Sequence, residues 1–298
     1  MSKSRKLLLG IGGFYLFAII LVIAIFGFTR RDNDKFQPQE EFRLTSWIDL
    51  PGPLDINKAV LYVFIAAILT VATMLFIAKR MQARPNRVQT AVETLYTAMR
   101  DNITRGNMDD KMAAKWFPFI GALFLFIWWS NLIGYIPLPT NSHASFKLFG
   151  AEIPAFALYA ATANVSVPLV LALVVFFAFN LEGIRAKGFG GYIKSLIPAG
   201  VSGPILFLIF PLELASTFMR LVSLTVRLFA NILAGHLIIL FMSGGLAVLL
   251  GLEVLGVLTL PAGIALFMFE VGLVATLQAF IFATLSAIYL GGAVAESH

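Results

Sequence analysis

The stretch Arg220-Leu-Val-Ser223-Leu-Thr-Val-Arg227-Leu-Phe-Ala-Asn231-Ile-Leu-Ala-Gly235-His236 decides how the whole chain reads. It carries two arginines in a segment that is otherwise almost free of charge. From Gly203 to Ala295 the only other formally charged side chains are Glu213, Glu253 and Glu270. In the middle of a membrane a guanidinium costs about 2.5–3.5 kcal/mol on insertion scales. It cannot shed its proton to escape that cost. A chain that keeps a permanent cation in such surroundings uses it, and an ion or proton pathway is the first reading.

Helical spacing organises the neighbours of Arg227. Glu213, Arg220 and Arg227 are seven apart, and Ser223 and Asn231 each stand four from Arg227. Spacings of four and seven return to one helix face, so these residues form a polar line ~27 Å long. Taken singly, each could be a hydrogen bond between packed helices. Five on one face, with two arginines among them, favour a functional line. His236 is nine residues beyond Arg227 and faces the other way. It is either a relay that titrates near neutral pH or a packing residue. Glu270 and Gln278 stand eight apart in the last apolar segment. Glu270 has no charged neighbour there, so it finds one across the hairpin or is protonated. Glu253 is expected near the hairpin turn, in water.

Working outward, the composition agrees with a membrane solvent. Hydrophobic residues make up 59% of the 298, and charged residues only 13%, against about 25% in soluble domains. The expected fold class is all-α, a polytopic helical membrane protein. Four segments of ordinary length come first: Leu7–Phe28, Lys58–Ala78, Trp116–Ile136 and Leu158–Asn180. Each is near the ~20 residues that cross a bilayer. The first follows Lys3, Arg5 and Lys6 like a signal peptide. Its apolar run is longer than a signal core and no A-x-A site follows, so it reads as a retained anchor. Residues 1–54 are thus an anchor helix with an external loop, and 55–298 the core.

The last third holds two apolar runs about twice that length, Pro204–Ser243 and Leu246–Tyr289. A pair of long, strongly inclined helices joined near Gly244-Gly245, with a bend at Pro261, accounts for them. Lys and Arg are distributed unevenly. Fourteen fall in 1–6, 79–115 and 181–202, and five in 29–57 and 137–157. The positive-inside rule places both termini in the cytoplasm. Within 79–115, Val88, Val92, Leu95, Met99 and Ile103 form one apolar stripe, a helix that lies on the bilayer, packs on a partner or is a plain amphipathic connector.

Several function classes drop out. There is no cysteine, so no disulfide or thiolate chemistry. His143, His236 and His298 are scattered, which leaves no basis for a metal cluster, and no cofactor is expected. The net charge of +6 belongs to membrane-loop basic residues and not to nucleic-acid binding. The glycines of Gly188-Phe-Gly190-Gly191 follow no strand and lack a P-loop lysine. No nucleophile–base set is present, so this chain should carry no catalytic site.

The string Pro211-Leu-Glu213-Leu together with the opening stretch resembles the signature of subunit a of F-type ATP synthases. So does Leu277-Gln278-Ala-Phe-Ile-Phe-Ala-Thr-Leu-Ser-Ala-Ile-Tyr289-Leu. Trp129-Ser-Asn131-Leu-Ile-Gly134-Tyr-Ile-Pro137 and Lys187-Gly188-Phe-Gly190-Gly191-Tyr fit as well, so four motifs occur in order over about residues 55–292. The resemblance implies a membrane stator beside a rotating ring of c subunits, held by the peripheral-stalk b subunits in the lipid bilayer. Two offset half-channels would pass protons to and from a ring carboxylate, coupling proton flow to rotation and ATP synthesis. It implies that Arg227 is the essential stator arginine, with Asn231 and Gln278 lining the path. It assigns His236 and Glu270 to the outer half-channel and Glu213 to the cytoplasmic one. Such a chain sits in a bacterial inner membrane. There are departures: Arg220 stands where some members have lysine. Glu270 is eight before Gln278, where many members place the acid seven before. The anchor Leu7–Phe28 adds to a five-span core.

Two other readings compete. A secondary transporter or ion channel could use an intramembrane Arg to bind an anion, but it should show broken helices or internal repeats. A structural assembly subunit would use the polar residues as helix glue and would tolerate loss of Arg227.

Overall fold

A computed structural model describes residues 3–26, 44, 46–48, 56–80, 86–138, 145–148, 151–154, 158–197, 205–251 and 253–295. The described residues are mostly helical. The α-helices are α1 (Lys3–Phe26), α2 (Lys58–Arg80), α3 (Arg87–Thr97), α4 (Asp110–Gly134), α5 (Ser166–Lys187), α6 (Phe189–Ser195), α7 (Leu206–Leu240), α8 (Leu246–Leu250), α9 (Glu253–Phe269) and α10 (Ala275–Val294). Two π-helical runs continue them, Ala98–Arg105 after α3 and Glu270–Val274 between α9 and α10, while Phe241–Gly245 after α7 is a kink that is non-helical at Gly244. Two small antiparallel hairpins, β1 (Ser46–Ile48) with β2 (Ile56–Asn57) and β3 (Ser145–Leu148) with β4 (Ala151–Pro154), are added to the expected helices.

Among the described residues, five helical stretches are long and apolar enough to cross a membrane. They are Lys58–Lys79, Asp110–Gly134, Ser166–Lys187, Leu206–Val248 and Val254–Val294. The chain is therefore an all-α polytopic membrane protein with long C-terminal helices. At 35 residues, α7 alone is ~52 Å long, far more than one upright crossing needs.

Particular residues set the helix ends. The Asp109 carboxylate caps α4 by accepting from Met112 N at 3.4 Å, so this helix begins before Trp116. Asn86 caps α3 through Gln89 N at 2.7 Å. The fourth apolar segment differs from the expectation of one helix from Leu158. Residues 158–160 are not helical, with Ala160 extended, and Ala161–Ala163 make a single 3-10 turn. Thr162 Oγ1 donates to Asn131 Oδ1 at 2.8 Å and fixes this stretch inside the packed interior. Asn164 Oδ1 then accepts from Ser166 N at 3.0 Å, and the helix starts there. The return limb also differs from one run beginning at Leu246. Gly251, at φ +67°, takes a left-handed conformation that ends α8, and a new helix begins at Glu253. α9 stays helical through Pro261. The turn between the limbs falls at Phe241–Gly245, as the Gly244-Gly245 pair predicts, with Gly244 at φ +134°.

The chain divides into two compact units. The larger comprises 46–137, 158–233 and 274–298. Its core joins Ile120, Phe124 and Ile127 of α4, Val175 and Phe179 of α5, Leu224, Leu228 and Ile232 of α7, and Phe282 and Leu290 of α10. α10 buries Ala275, Ala279, Ala283 and Ala287 at four-residue spacing. A seam of small side chains lets helices approach closely in lipid, where packing has to replace the hydrophobic effect. Polar groups tie the seam. Asn131 Nδ2 donates to Ala275 O at 3.2 Å, and Trp128 Nε1 to Thr276 Oγ1 at 3.0 Å. Trp129 Nε1 donates to Thr73 Oγ1 of α2 at 3.1 Å. Lys115 and Glu182 form an ion pair between α4 and α5.

The smaller unit comprises 1–45, 138–157 and 234–273. Within it α1 packs on α9, and the Tyr15 hydroxyl donates to Leu258 O at 2.9 Å. Gly263 lies against the Met242 backbone, which brings α9 close to the turn after α7.

Candidate functional site

The polar line on α7 lies along the edge of the larger unit's core. Leu224, Leu228 and Ile232 point inward and are buried. Phe218, Met219, Val222 and Val226, each about half exposed, form the outward apolar surface of the same helix. Between the two lies Arg227, half-buried, with Ser223 one turn before it and Asn231 one turn after it both exposed. The spacing of four places Ser223 under Arg227, and Arg227 Nη2 donates to Ser223 Oγ at 3.3 Å. Among the described residues no carboxylate lies within ion-pair distance of Arg227.

Arg220 is held differently. Its guanidinium lies over the Tyr289 ring of α10, 5.3 Å from the centroid. The ring face is electron-rich, so the cation is stabilised without being neutralised. Tyr192 of α6 stands near as well. Burial pushes its phenol above the ordinary tyrosine range, while the charge of Arg220 acts in the opposite direction. The Tyr192 hydroxyl donates to Asn180 Oδ1 at 2.8 Å. Glu213, a further two turns toward the start of α7, is half-buried, and its main-chain oxygen accepts from Thr217 Oγ1 at 3.0 Å. Gln278 is buried on α10, in the same unit.

His236 and Glu270 belong to the smaller unit. Both are buried and both are engaged by neighbouring groups. Glu270 packs against Gly235. A Cβ at that glycine would come within 2.5 Å of the Glu270 Cδ and Oε2 atoms. The carboxylate therefore occupies the space that a side chain at position 235 would take. Glu270 opens the π-helical turn Glu270–Val274. A π-turn holds one residue more than an α-turn. The eight-residue spacing from Glu270 to Gln278 includes that turn.

The structure thus brings Ser223 to Arg227, and Glu270 to the glycine before His236. Glu213, Arg220, Ser223, Arg227, Asn231 and Gln278 share the larger unit. The Glu253 side chain, His143 and His298 lie outside the described residues. Among the described residues no group of three His, Asp or Glu side chains could hold a metal ion. Two features escape sequence reading. Tyr289 was visible only as part of a motif, and its partner could not be told from spacing. Glu182, a lone acid near the end of an apolar run, had no charged residue within three positions except Arg185 to suggest where its partner lay.

Comparison with known proteins adds an independent line. The family described as ATP synthase A chain matches residues 60–291. A protein from Bradyrhizobium diazoefficiens named ATP synthase subunit a is 36% identical over 243 residues, covering 80% of this chain and 88% of its own length. One of the same name from Frankia alni is 33% identical over 270 residues, 87% of this chain and 85% of its own. Another, from Myxococcus xanthus, is 32% identical over 259 residues, 84% of this chain and 78% of its own.

Proposed function

Because the chain belongs to the ATP synthase A chain family, we propose a division of labour among its intramembrane residues. The chain is the proton-translocating stator subunit of the membrane sector and has no catalytic site of its own. Arg227 is the residue on which coupling turns. It faces the carboxylate that each passing c subunit of the ring carries. One observation carries this reading. Arg227 lies at the outward edge of a long apolar helix, and among the described residues its polar partner is a hydroxyl and not an acid. A fixed cation without a counter-charge among the described residues is suited to a counter-charge supplied by another chain.

The physics of the step follows from what arginine cannot do. A guanidinium stays protonated under all biological conditions, so it cannot pass a proton along. Its charge favours the ionised form of a carboxylate brought beside it, which makes that carboxylate release its proton before passing. The same charge repels a proton migrating from one half-channel to the other. Ser223 holds the side chain from below. Asn231 and Gln278 are amides that can accept or donate and so can solvate the path on either side. Arg220 on Tyr289, with Glu213 beyond it, lines the cytoplasmic route. His236 and the Glu270 carboxylate beside Gly235 line the outer route, where both can exchange protons. Each elementary charge that crosses carries about 2.3 kcal/mol per 100 mV of membrane potential, the work that turns the ring.

The long C-terminal helices lie strongly inclined beside the ring, and the b subunits of the peripheral stalk hold the chain from the other side. The termini face the cytoplasm of a bacterial cell, as the distribution of Lys and Arg indicates. A single Cys introduced in 29–57 should react with an impermeant thiol reagent in intact cells. Reaction only in inverted vesicles reverses the orientation.

The deciding experiment is Arg227→Ala in the assembled complex. ATP-driven pumping in inverted vesicles should be abolished. Passive proton conductance, measured after the catalytic head is stripped, should rise. Normal coupled pumping would remove Arg227 from this role and leave the polar line as helix glue.

A further inference from the structure

Outside the polar line, the π-helical run Ala98–Arg105 and the first turns of α4 enclose a pocket of about 250 Å³. Its lining includes Tyr96, Arg100, Thr104, Arg105, Ala113 and Phe117, and no acidic side chain. We propose that this pocket holds the phosphate of an anionic phospholipid headgroup.

The backbone is what builds the charge. In an α-helix, residues five apart point roughly 140° away from each other. A π-helix bonds i to i+5 and so stacks them. The Thr104 hydroxyl spans the same five-residue distance, donating to Met99 O at 2.8 Å. Arg100 and Arg105 are five apart and line one pocket because this run is wound as a π-helix and not as a continuation of α3. Such winding is uncommon, and where it occurs it frequently marks a functional site.

The charge there is available. Arg100 is exposed, with no ion pair among the described residues. Arg105 touches Asp101 at 3.4 Å and Asp110 at 3.6 Å. Both contacts are long and exposed, the kind of pair that contributes little and yields to a better anion. Two planar guanidinium forks match phosphate oxygens in geometry as well as in charge.

A lipid fits better than a free anion because part of the lining is apolar. Ala113 and Phe117 of α4 form it, and the Phe117 ring meets Tyr96 edge-on at 5.0 Å. The pocket combines two arginines with apolar groups of Ala113, Ala114 and Phe117, as a phosphodiester joined to glycerol and acyl chains requires. Its place agrees. It lies in the connection between two candidate membrane spans, Lys58–Lys79 and Asp110–Gly134, on a helix whose Met99 and Ile103 are buried and whose arginines are not. Basic pockets beside span ends are where anionic headgroups bind.

The test adds photoactivatable phosphatidylglycerol to the intact ATP synthase in mild detergent and maps the cross-linked peptides. Adducts in 96–117 are expected in the wild-type complex. In Arg100→Gln/Arg105→Gln they should fall at least about tenfold, as loss of charge-assisted hydrogen bonds predicts. A control, Arg87→Gln/Lys111→Gln, removes the same charge from exposed positions outside the pocket and should leave them unchanged. Equal labelling of the pocket variant overturns the proposal. So does an equal loss in the control, which would make the attraction one of general surface charge. Suppression of labelling by free glycerol phosphate at millimolar concentration would assign the pocket to a soluble phosphate instead. Should the glutamine variant fail to assemble, Arg100→Lys/Arg105→Lys keeps both charges and loses both forks. Unchanged labelling there would refute phosphate recognition by the guanidinium pair.

Discussion

Lys115 with Glu182, and Arg227 with Ser223, show two ways in which the larger unit keeps charge among apolar helices. Glu182 is buried, and its carboxylate is neutralised by Lys115 from the neighbouring helix, whose own side chain stays half exposed. Arg227 has a hydroxyl for company and stands at the outward edge of α7. The first charge is settled inside the chain. The second has no carboxylate partner among the described residues, which suits the charge proposed to come from the ring. A buried ion costs several kcal/mol to desolvate, so a fold that needs only stability pairs its ions internally. A fold that must attract and release a partner's charge on every turn of a ring cannot. Arg220 is intermediate, stabilised by the Tyr289 ring without being neutralised.

The sharpest way to break this contrast is Arg227→Lys. The charge is kept, while the planar fork and some reach are lost, and an ammonium can give up its proton when desolvated. ATP-driven pumping should vanish as completely as with alanine. Assembly and thermal stability of the complex should stay as in the wild type, because no ion pair among the described residues is lost. Pumping at the wild-type rate in Arg227→Lys would mean that any fixed charge suffices and that the guanidinium has no special part.

Glu182→Leu probes the other half of the contrast and should give the opposite pattern. Removing one member of a buried pair is costly, but Lys115 is half exposed and can turn to water. The expected loss lies between that of exposed and fully buried pairs, about 1–3 kcal/mol. It would be read as a lower unfolding temperature of the membrane sector, with the number of protons pumped per ATP unchanged. A variant that is fully stable but uncoupled would move Glu182 from the fold into the proton path.

How much of this was legible follows from where the information lies. The spans of α2 and α4 and the place of the hairpin turn can be read because apolar length and glycine pairs are local signals. Arg227 can be read because a charge in an apolar run needs no partner to be noticed. The non-α-helical stretch before α5 cannot. Leu158 to Ala163 is as apolar as a helix, and what holds it open is Thr162 reaching Asn131, thirty-one residues away in the chain. The π-helical runs are equally silent. The stripe Val88, Val92, Leu95, Met99 and Ile103 fits an ordinary helix, yet from Ala98 onward the backbone adopts the wider winding. Winding changes which residues share a face without altering composition. The spacing of eight between Glu270 and Gln278 was the one visible trace of it, as a departure from the family pattern and not as a turn type.

The smallest effect is expected from Gly235→Ala, a single methyl group. The added Cβ would fall 2.5 Å from the Glu270 Cδ. What stands in the way is the free end of a side chain, which can rotate, and not backbone, which cannot. The helices need not separate, so assembly and stability should change little. The carboxylate must move, however, and a proton-exchanging group has to lie within hydrogen-bond reach of the group it serves. Proton uptake through the outer route should slow by a few-fold, since water can replace part of the relay, while the number of protons pumped per ATP stays the same. Glu270→Gln, which cannot ionise but fills the same space, separates position from charge. If both variants slow pumping alike, the carboxylate works as an acid at that place. If Glu270→Gln pumps normally and Gly235→Ala does not, the glycine serves the packing of α7, and the outer route runs without Glu270.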